Sequence, residues 1–165
     1  MKHQERGLVV AHKHPVWRDR ATSVFHMLAG VHGGRSRWEQ LWWRRTARGR
    51  FTLCCIPFLI DDLALGDEVE TNACHIVRRI VRRSGQVTFR VRIDRHDPWV
   101  REQVLKASEV FEPLAEWSAP NLLALSVHES RARPLGDRLA VLAGQMTIDV
   151  DTGRIADGRP SSVQR

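Results

Sequence analysis

The most regular hydrophobic pattern in the chain is Val87, Phe89, Val91 and Ile93, each separated by a polar residue. Alternation of this kind predicts a strand with one buried face. Downstream, Asp97-Pro98 supplies an N-cap oxygen and a first-turn proline whose missing N–H costs nothing there. Val100, Val104, Ala107 and Phe111 then recur at helical spacing, predicting an amphipathic helix that Pro113 stops. Residues 114–118 and 122–127 read as two strands joined by the turn Ala119-Pro120-Asn121. Leu135, Leu139 and Leu142 mark a second helix, begun between Ser130 and Pro134 and closed by Gly144 in a left-handed cap. Met146, Ile148 and Val150 alternate into a last strand. The predicted order from Val87 is β-α-β-β-α-β, the ferredoxin-like arrangement with two helices on one face of a four-stranded antiparallel sheet. The opposite face of that sheet needs a cover.

The upstream half supplies one. Residues 22–28 read as a strand, residues 30–37 as a flexible loop, and residues 38–45 (WEQLWWRR) fit more than one element. Arg48-Gly49-Arg50 looks like a hairpin connection into a strand over 51–56, which Pro57 ends because it cannot donate a ladder hydrogen bond. After a loop through Asp61-Asp62, a Gly66-Asp67 turn leads into a strand around Val69. In HIVRRIVRR (75–83) the apolar residues also suit one face of a helix, but β-branched composition favours a strand. The Ser84-Gly85 turn then predicts a hairpin with 87–93. The expected fold class is α+β: an N-terminal small β-barrel or curved antiparallel sheet packed on a C-terminal ferredoxin-like half. The expected organisation is a flexible segment 1–14, a β-rich subdomain 15–84, a ferredoxin-like subdomain 85–152 and a frayed tail 153–165.

Composition narrows the classes. With 165 residues, 42% apolar and 27% charged, the chain can bury one domain-sized core, which excludes a large multidomain enzyme and global disorder. Its formal charge of +7 favours polyanionic partners. Lys occurs only at positions 2, 13 and 106, however, and so strong an Arg bias also follows from a GC-rich genome. Three cysteines, two of them adjacent, are no disulfide framework, and a reducing cytoplasm is expected. The apolar run at residues 8–11 is too short for a signal-peptide core. The longest apolar run, residues 53–60, is far short of the roughly 20 residues a bilayer requires, so no membrane span is expected.

Candidate chemistry is sparse. Cys54, Cys55, Cys74 and His75 have the right ligand types for zinc but no C-x-x-C or H-x-x-H clamp, and buried structural cysteines are the favoured reading. A Cys55–His75 nucleophile pair is a remote third choice. Asp94 ends a strand, His96 sits in a loop and Asp97 caps a helix, while Asp61-Asp62 reads as a solvated acidic pair. His3, His12 and His14 form a loose cluster with no frame around it. No phosphate-binding glycine loop, dinucleotide fingerprint or nucleophile elbow occurs, so neither cofactor nor metal is expected. The constellation with most physical weight is basic. Arg78, Arg79, Arg82, Arg83, Arg90 and Arg92 fall on the expected hairpin, and Trp42-Trp43-Arg44-Arg45 sets aromatic beside cationic groups. Such a surface suits a protein partner, or RNA or single-stranded DNA through phosphate pairing and base stacking.

Five stretches together, HPVWRDR (14–20), WEQLWWRR (38–45), FTLCCIPFLIDDLALGDEVET (51–71), RSGQVTFRV (83–91) and AEWSAPNLLAL (115–125), resemble a bacterial family met mostly in actinobacteria, domain of unknown function 4265. The resemblance spans roughly residues 12–150, with CCIPF and LALGD its most specific parts. It departs after Phe58, where the family commonly has a second aromatic, so no role is carried to residues 59–61. It implies no activity and no catalytic residues. The reading is therefore an uncharacterised cytoplasmic, non-enzymatic module that binds another macromolecule, most simply a protein, with a nucleic-acid-binding accessory domain as the alternative.

Overall fold

A computed structural model of the chain describes residues 7–153, which form two sheets and two long helices. The first sheet holds β1 (Leu8–Ala11), β2 (Ser23–His32), β3 (Arg35–Ala47), β4 (Arg50–Leu53), β5 (Glu68–Thr71) and β6 (Val77–Arg82). β3 is its spine, flanked on one side by β2 and on the other by the parallel β1 and then β4. The ambiguous WEQLWWRR is thus a strand. The expected flexible loop at 30–37 reduces to the turn Gly33-Gly34, whose backbones lie at φ +57 and +76. Two consecutive left-handed residues match the twist of the flanking strands and continue the ladder to His32 and Arg35.

The sheet is open. Among the described residues β6 pairs only with β5 and β2 only with β3, so neither the expected barrel nor a strongly curved sheet forms. The segment 75–83 does supply a strand, but the hairpin with 87–93 does not exist. β6 lies against β5 with Glu68 opposite Arg82 and Glu70 opposite Arg79, and the chain crosses to the second sheet after Arg82. Opposite charges across a ladder favour that partner.

The second sheet, in the order β10-β7-β9-β8, consists of β7 (Gln86–Ile93), β8 (Leu114–Ala119), β9 (Leu122–His128) and β10 (Ile148–Thr152). With α1 (Pro98–Glu109) and α2 (Glu129–Gln145) it is the expected ferredoxin-like unit in a mixed α+β fold. Asp97 caps α1 through Trp99 N and Val100 N. The predicted stripes hold: Val100, Val104, Leu135, Leu139 and Leu142 pack with Val87, Phe89, Val91 and Ile93, and Ala107 and Phe111 lie against them. Gly144 belongs to α2 and is no left-handed cap, since the helix runs one residue further.

The helix-free face of this sheet is covered by residues 54–67, which lie between the two sheets. Ile60 and Leu63 pack on Phe25, Leu41, Trp43 and Phe51 of the first sheet, whereas Ile56, Phe58 and Leu65 pack on Ala124. β4 stops at Leu53, so Cys54 and Cys55 leave the sheet rather than alternate across it. Of the segment 1–14 read as flexible, residues 8–11 form β1 and His12 is buried. Apart from Gly153, the tail expected to fray lies outside the described residues, as does His3.

Candidate functional site

At the junction of the two sheets lies a buried ionic centre. β3 alternates, so Glu39 shares the inner face with Leu41 and Trp43 and is fully buried. Glu116 comes from the helix-free face of β8 and is 3% exposed. The ring of His12, just past β1, lies between them, with Nε2 2.9 Å from Glu39 Oε1 and Nδ1 2.5 Å from Glu116 Oε2. Phe58 stacks on that ring at 4.3 Å between centroids. Burial alone would lower the His12 pKa, but contacts with Cys55, Glu116 and Glu39 outweigh it and raise it from 6.5 to about 11. Both ring nitrogens face carboxylate oxygens, an arrangement that favours the protonated imidazolium.

The same two acids hold the interleaved loop. Glu39 accepts from Phe58 N, Leu59 N and Ile60 N at 2.6, 2.9 and 3.1 Å, and Glu116 from Ile56 N at 2.9 Å and Val16 N at 3.0 Å. The loop's carbonyls turn the other way. Arg90, 6% exposed on β7, donates to Pro57 O and Ile60 O at 3.2 and 2.6 Å and to Asp61 and Asp151. A buried loop must satisfy its backbone polar groups, and here charged side chains from both sheets do so. Asp67 closes the far end by accepting from Ala64 N, Ser84 N and Arg83.

The cysteines divide accordingly. Cys55 Sγ accepts from Trp42 N at 3.4 Å and borders His12, not His75. Burial pushes its thiol pKa upward, and burial likewise raises Cys54 to about 11. Cys74 is exposed. Among the described residues no group of three His, Cys, Asp or Glu side chains is placed to hold a metal ion.

The basic constellation is dispersed. Trp43 is fully buried, while Trp42 is half-buried on the outer face of the first sheet with the Arg18 guanidinium 5.6 Å from its ring. Arg44 and Arg45 are exposed on β3. Arg79, Arg82 and Arg83 pair with Glu70, Glu68 and Asp67, and Arg90 is interior. Arg78 and Arg92 are exposed on different sheets. The ten residues do not converge on one surface. The outer face of β1, β3 and β2 instead carries an uncharged apolar row that sequence reasoning missed. Val9, Trp38 and Leu28 are direct cross-strand neighbours and 50%, 37% and 50% exposed, and Val24, opposite Trp42, is 43% exposed. The signal for it was the register of three strands, which no local pattern shows.

The sequence profile described as Domain of unknown function (DUF4265) matches residues 39–149. The chain belongs to this family. No curated protein matches it. A crystal structure of a hypothetical protein from Neisseria gonorrhoeae superposes with a TM-score of 0.64 at 16% identity, covering 92% of this chain and 96% of that one. At such identity the likeness shows the shared fold. None of the described helices is long and apolar enough to cross a membrane.

Within this DUF4265 chain, the stretches that carry the family resemblance supply the two acids of the junction, Glu39 and Glu116, and the loop they hold. CCIPF is the segment whose backbone N–H groups Glu39 and Glu116 receive, and LALGD holds Gly66 at φ +83 against Trp17 and Ser84. A Cβ at Gly66 would lie 3.1 Å from Ser84 Cβ in a backbone conformation that side chains disfavour.

Proposed function

We propose that this DUF4265 protein is a non-enzymatic interaction module that takes an extended segment of an acidic protein partner along β2. The observation that carries this reading is the edge itself. Among the described residues β2 has no strand beyond it; it runs for ten residues from Ser23 to His32 and contains no Asp, Glu, Lys or Arg. Free edges normally bear charge or are short. The β6 edge carries Arg78, Arg79 and Arg82, and the short β10 edge carries Asp149 and Asp151. An uncharged edge beside the exposed row Val9, Trp38 and Leu28 suits strand addition, in which main-chain hydrogen bonds give affinity and neighbouring apolar side chains give specificity. The net charge of +7 favours encounter with an acidic partner and opposes a second copy of the chain.

Cys55 is fully buried with its thiol pKa pushed upward by burial, and His12 is taken by Glu39 and Glu116, which gives no support to a nucleophile. Arg79, Arg82 and Arg83 are paired with acids and Arg90 is buried, which removes most of the basic hairpin from a nucleic-acid reading. The test uses the full chain and a Val24→Lys/Leu28→Lys variant, both sites being exposed. An acidic companion recovered in stoichiometric amount from native extract should protect residues 23–32 from hydrogen exchange, and the variant should lose it at unchanged Tm. Retention of the companion by the variant, co-purification of nucleic acid alone, or a homodimer would overturn the reading.

A further inference from the structure

We propose that the cleft between the β3–β4 turn and the loop after β5 binds a small phosphomonoester, with Arg45 and Arg48 as its anion clamp. This inference is independent of the strand-docking surface. The cleft encloses about 590 Å³, within the roughly 300–1,000 Å³ range of small-molecule sites. Its walls include Ser23, Arg45, Arg48, Thr71, Asn72 and His75.

Three features distinguish it from an ordinary basic surface. First, its cations have no acid partner. Arg79, Arg82 and Arg83 each pair with an acid, whereas among the described residues neither Arg45 nor Arg48 makes an ion pair. The acid in the cleft, Glu70, is taken by Arg79 at 2.7 Å, which leaves the two arginines uncompensated. Second, the loop opposite is built. Asn72 Oδ1 accepts from Cys74 N and Ile76 N, both at 2.9 Å, and Asn72 O accepts from His75 N. That clamp holds His75 at φ +58, a conformation costly for a residue with a Cβ and one that persists only when its surroundings impose it. The His75 ring stacks on Phe25 at 5.0 Å and meets the edge of Phe51 at 5.6 Å, so the imidazole is fixed at the cleft wall. Third, one buried polar group there lacks a partner. The Thr71 hydroxyl is buried with no hydrogen bond, and Ser23 adds a second hydroxyl to the lining. Two guanidinium groups with hydroxyl and imidazole groups form a donor-rich set suited to a dianionic phosphate.

The experiment titrates inorganic phosphate, AMP and adenosine into the ¹⁵N-labelled full chain at constant ionic strength, with chloride as the balancing anion. Phosphate and AMP should shift the amides of residues 45–49 and 71–76 saturably, and adenosine should shift none. An Arg45→Gln/Arg48→Gln variant, altered only at exposed positions, should lose at least tenfold in affinity with its Tm unchanged, whereas Arg82→Gln should bind as the parent does. Shifts spread evenly over all arginine-bearing surfaces, equal binding by the double variant, no saturable shift with phosphate or AMP, or a response to adenosine would each overturn the assignment.

Discussion

The Nδ1 atom of His12 and the Oε2 atom of Glu116 are 104 residues apart in sequence and 2.5 Å apart in space. This contact ties the segment after β1 to the ferredoxin-like sheet. Glu39 completes the tie from β3, so three distant stretches of chain meet at one imidazolium.

Replacing His12 by Gln would leave two buried acids without their cation. Loss of one member of a buried ionic group costs about 3–5 kcal/mol. Urea unfolding of His12→Gln should show a midpoint lowered accordingly, with Glu39→Gln and Glu116→Gln also destabilised and the double His12→Gln/Glu116→Gln less than additive. A fully additive double variant would contradict the coupling.

Protonation of His12 also sets a pH dependence. Its pKa is raised on folding from 6.5 to about 11, so its stabilisation is complete below pH 6.5 and is lost as pH rises toward 11. Across that window the unfolded chain releases a proton that the folded chain retains, and stability should fall by up to about 1.4 kcal/mol per pH unit from this group. His12→Gln should show a flatter profile between pH 7 and 10 in urea titrations.

Thiol labelling should distinguish the three cysteines. Cys74 is exposed, while Cys54 and Cys55 are buried with their pKa values raised. At neutral pH an aromatic disulfide reagent should release one equivalent rapidly from native protein and three after unfolding. Rapid reaction of Cys55 in the folded state would contradict its burial.

Arginines in this chain should differ sharply in worth. Arg90→Met leaves the carbonyls of Pro57 and Ile60 without a donor and should cost about 2–4 kcal/mol. Arg82→Gln removes an exposed pair 3.5 Å from Glu68 and should cost no more than about 0.5 kcal/mol. Thermal unfolding of the two variants side by side measures the contrast.

The ferredoxin-like half was legible because each of its elements obeys a local period, from Val87-Phe89-Val91-Ile93 to Leu135-Leu139-Leu142, and because Asp97-Pro98 marks a helix start. The open sheet was only half legible. HIVRRIVRR reads correctly as a strand but with the wrong partner, since nearness in sequence favours β7 whereas pairing with β5 sets Val77 and Ile80 against the core of the first sheet. The junction escaped notice for a related reason. His12 sits in a polar stretch that resembles a loose tail, and its partners lie 27 and 104 residues away. A clue was present: β3 alternation puts Glu39 on the face of Leu41 and Trp43, and an acid on an apolar face needs a reason. The strand register that aligns Val9, Trp38 and Leu28 arises only when three segments pair, so no single window contained it.

The loop between the sheets has a consequence for how this module can evolve or be engineered. Its N–H groups are received by acids from β3 and β8, and its carbonyls are met by an arginine from β7. Severing the polypeptide between β6 and β7 would part Glu116 from His12 and from the loop N–H groups it receives, and Arg90 from the carbonyls of Pro57 and Ile60. Such pieces should reassemble in trans or not persist at all, making the domain an indivisible cassette rather than a tandem of two separable halves.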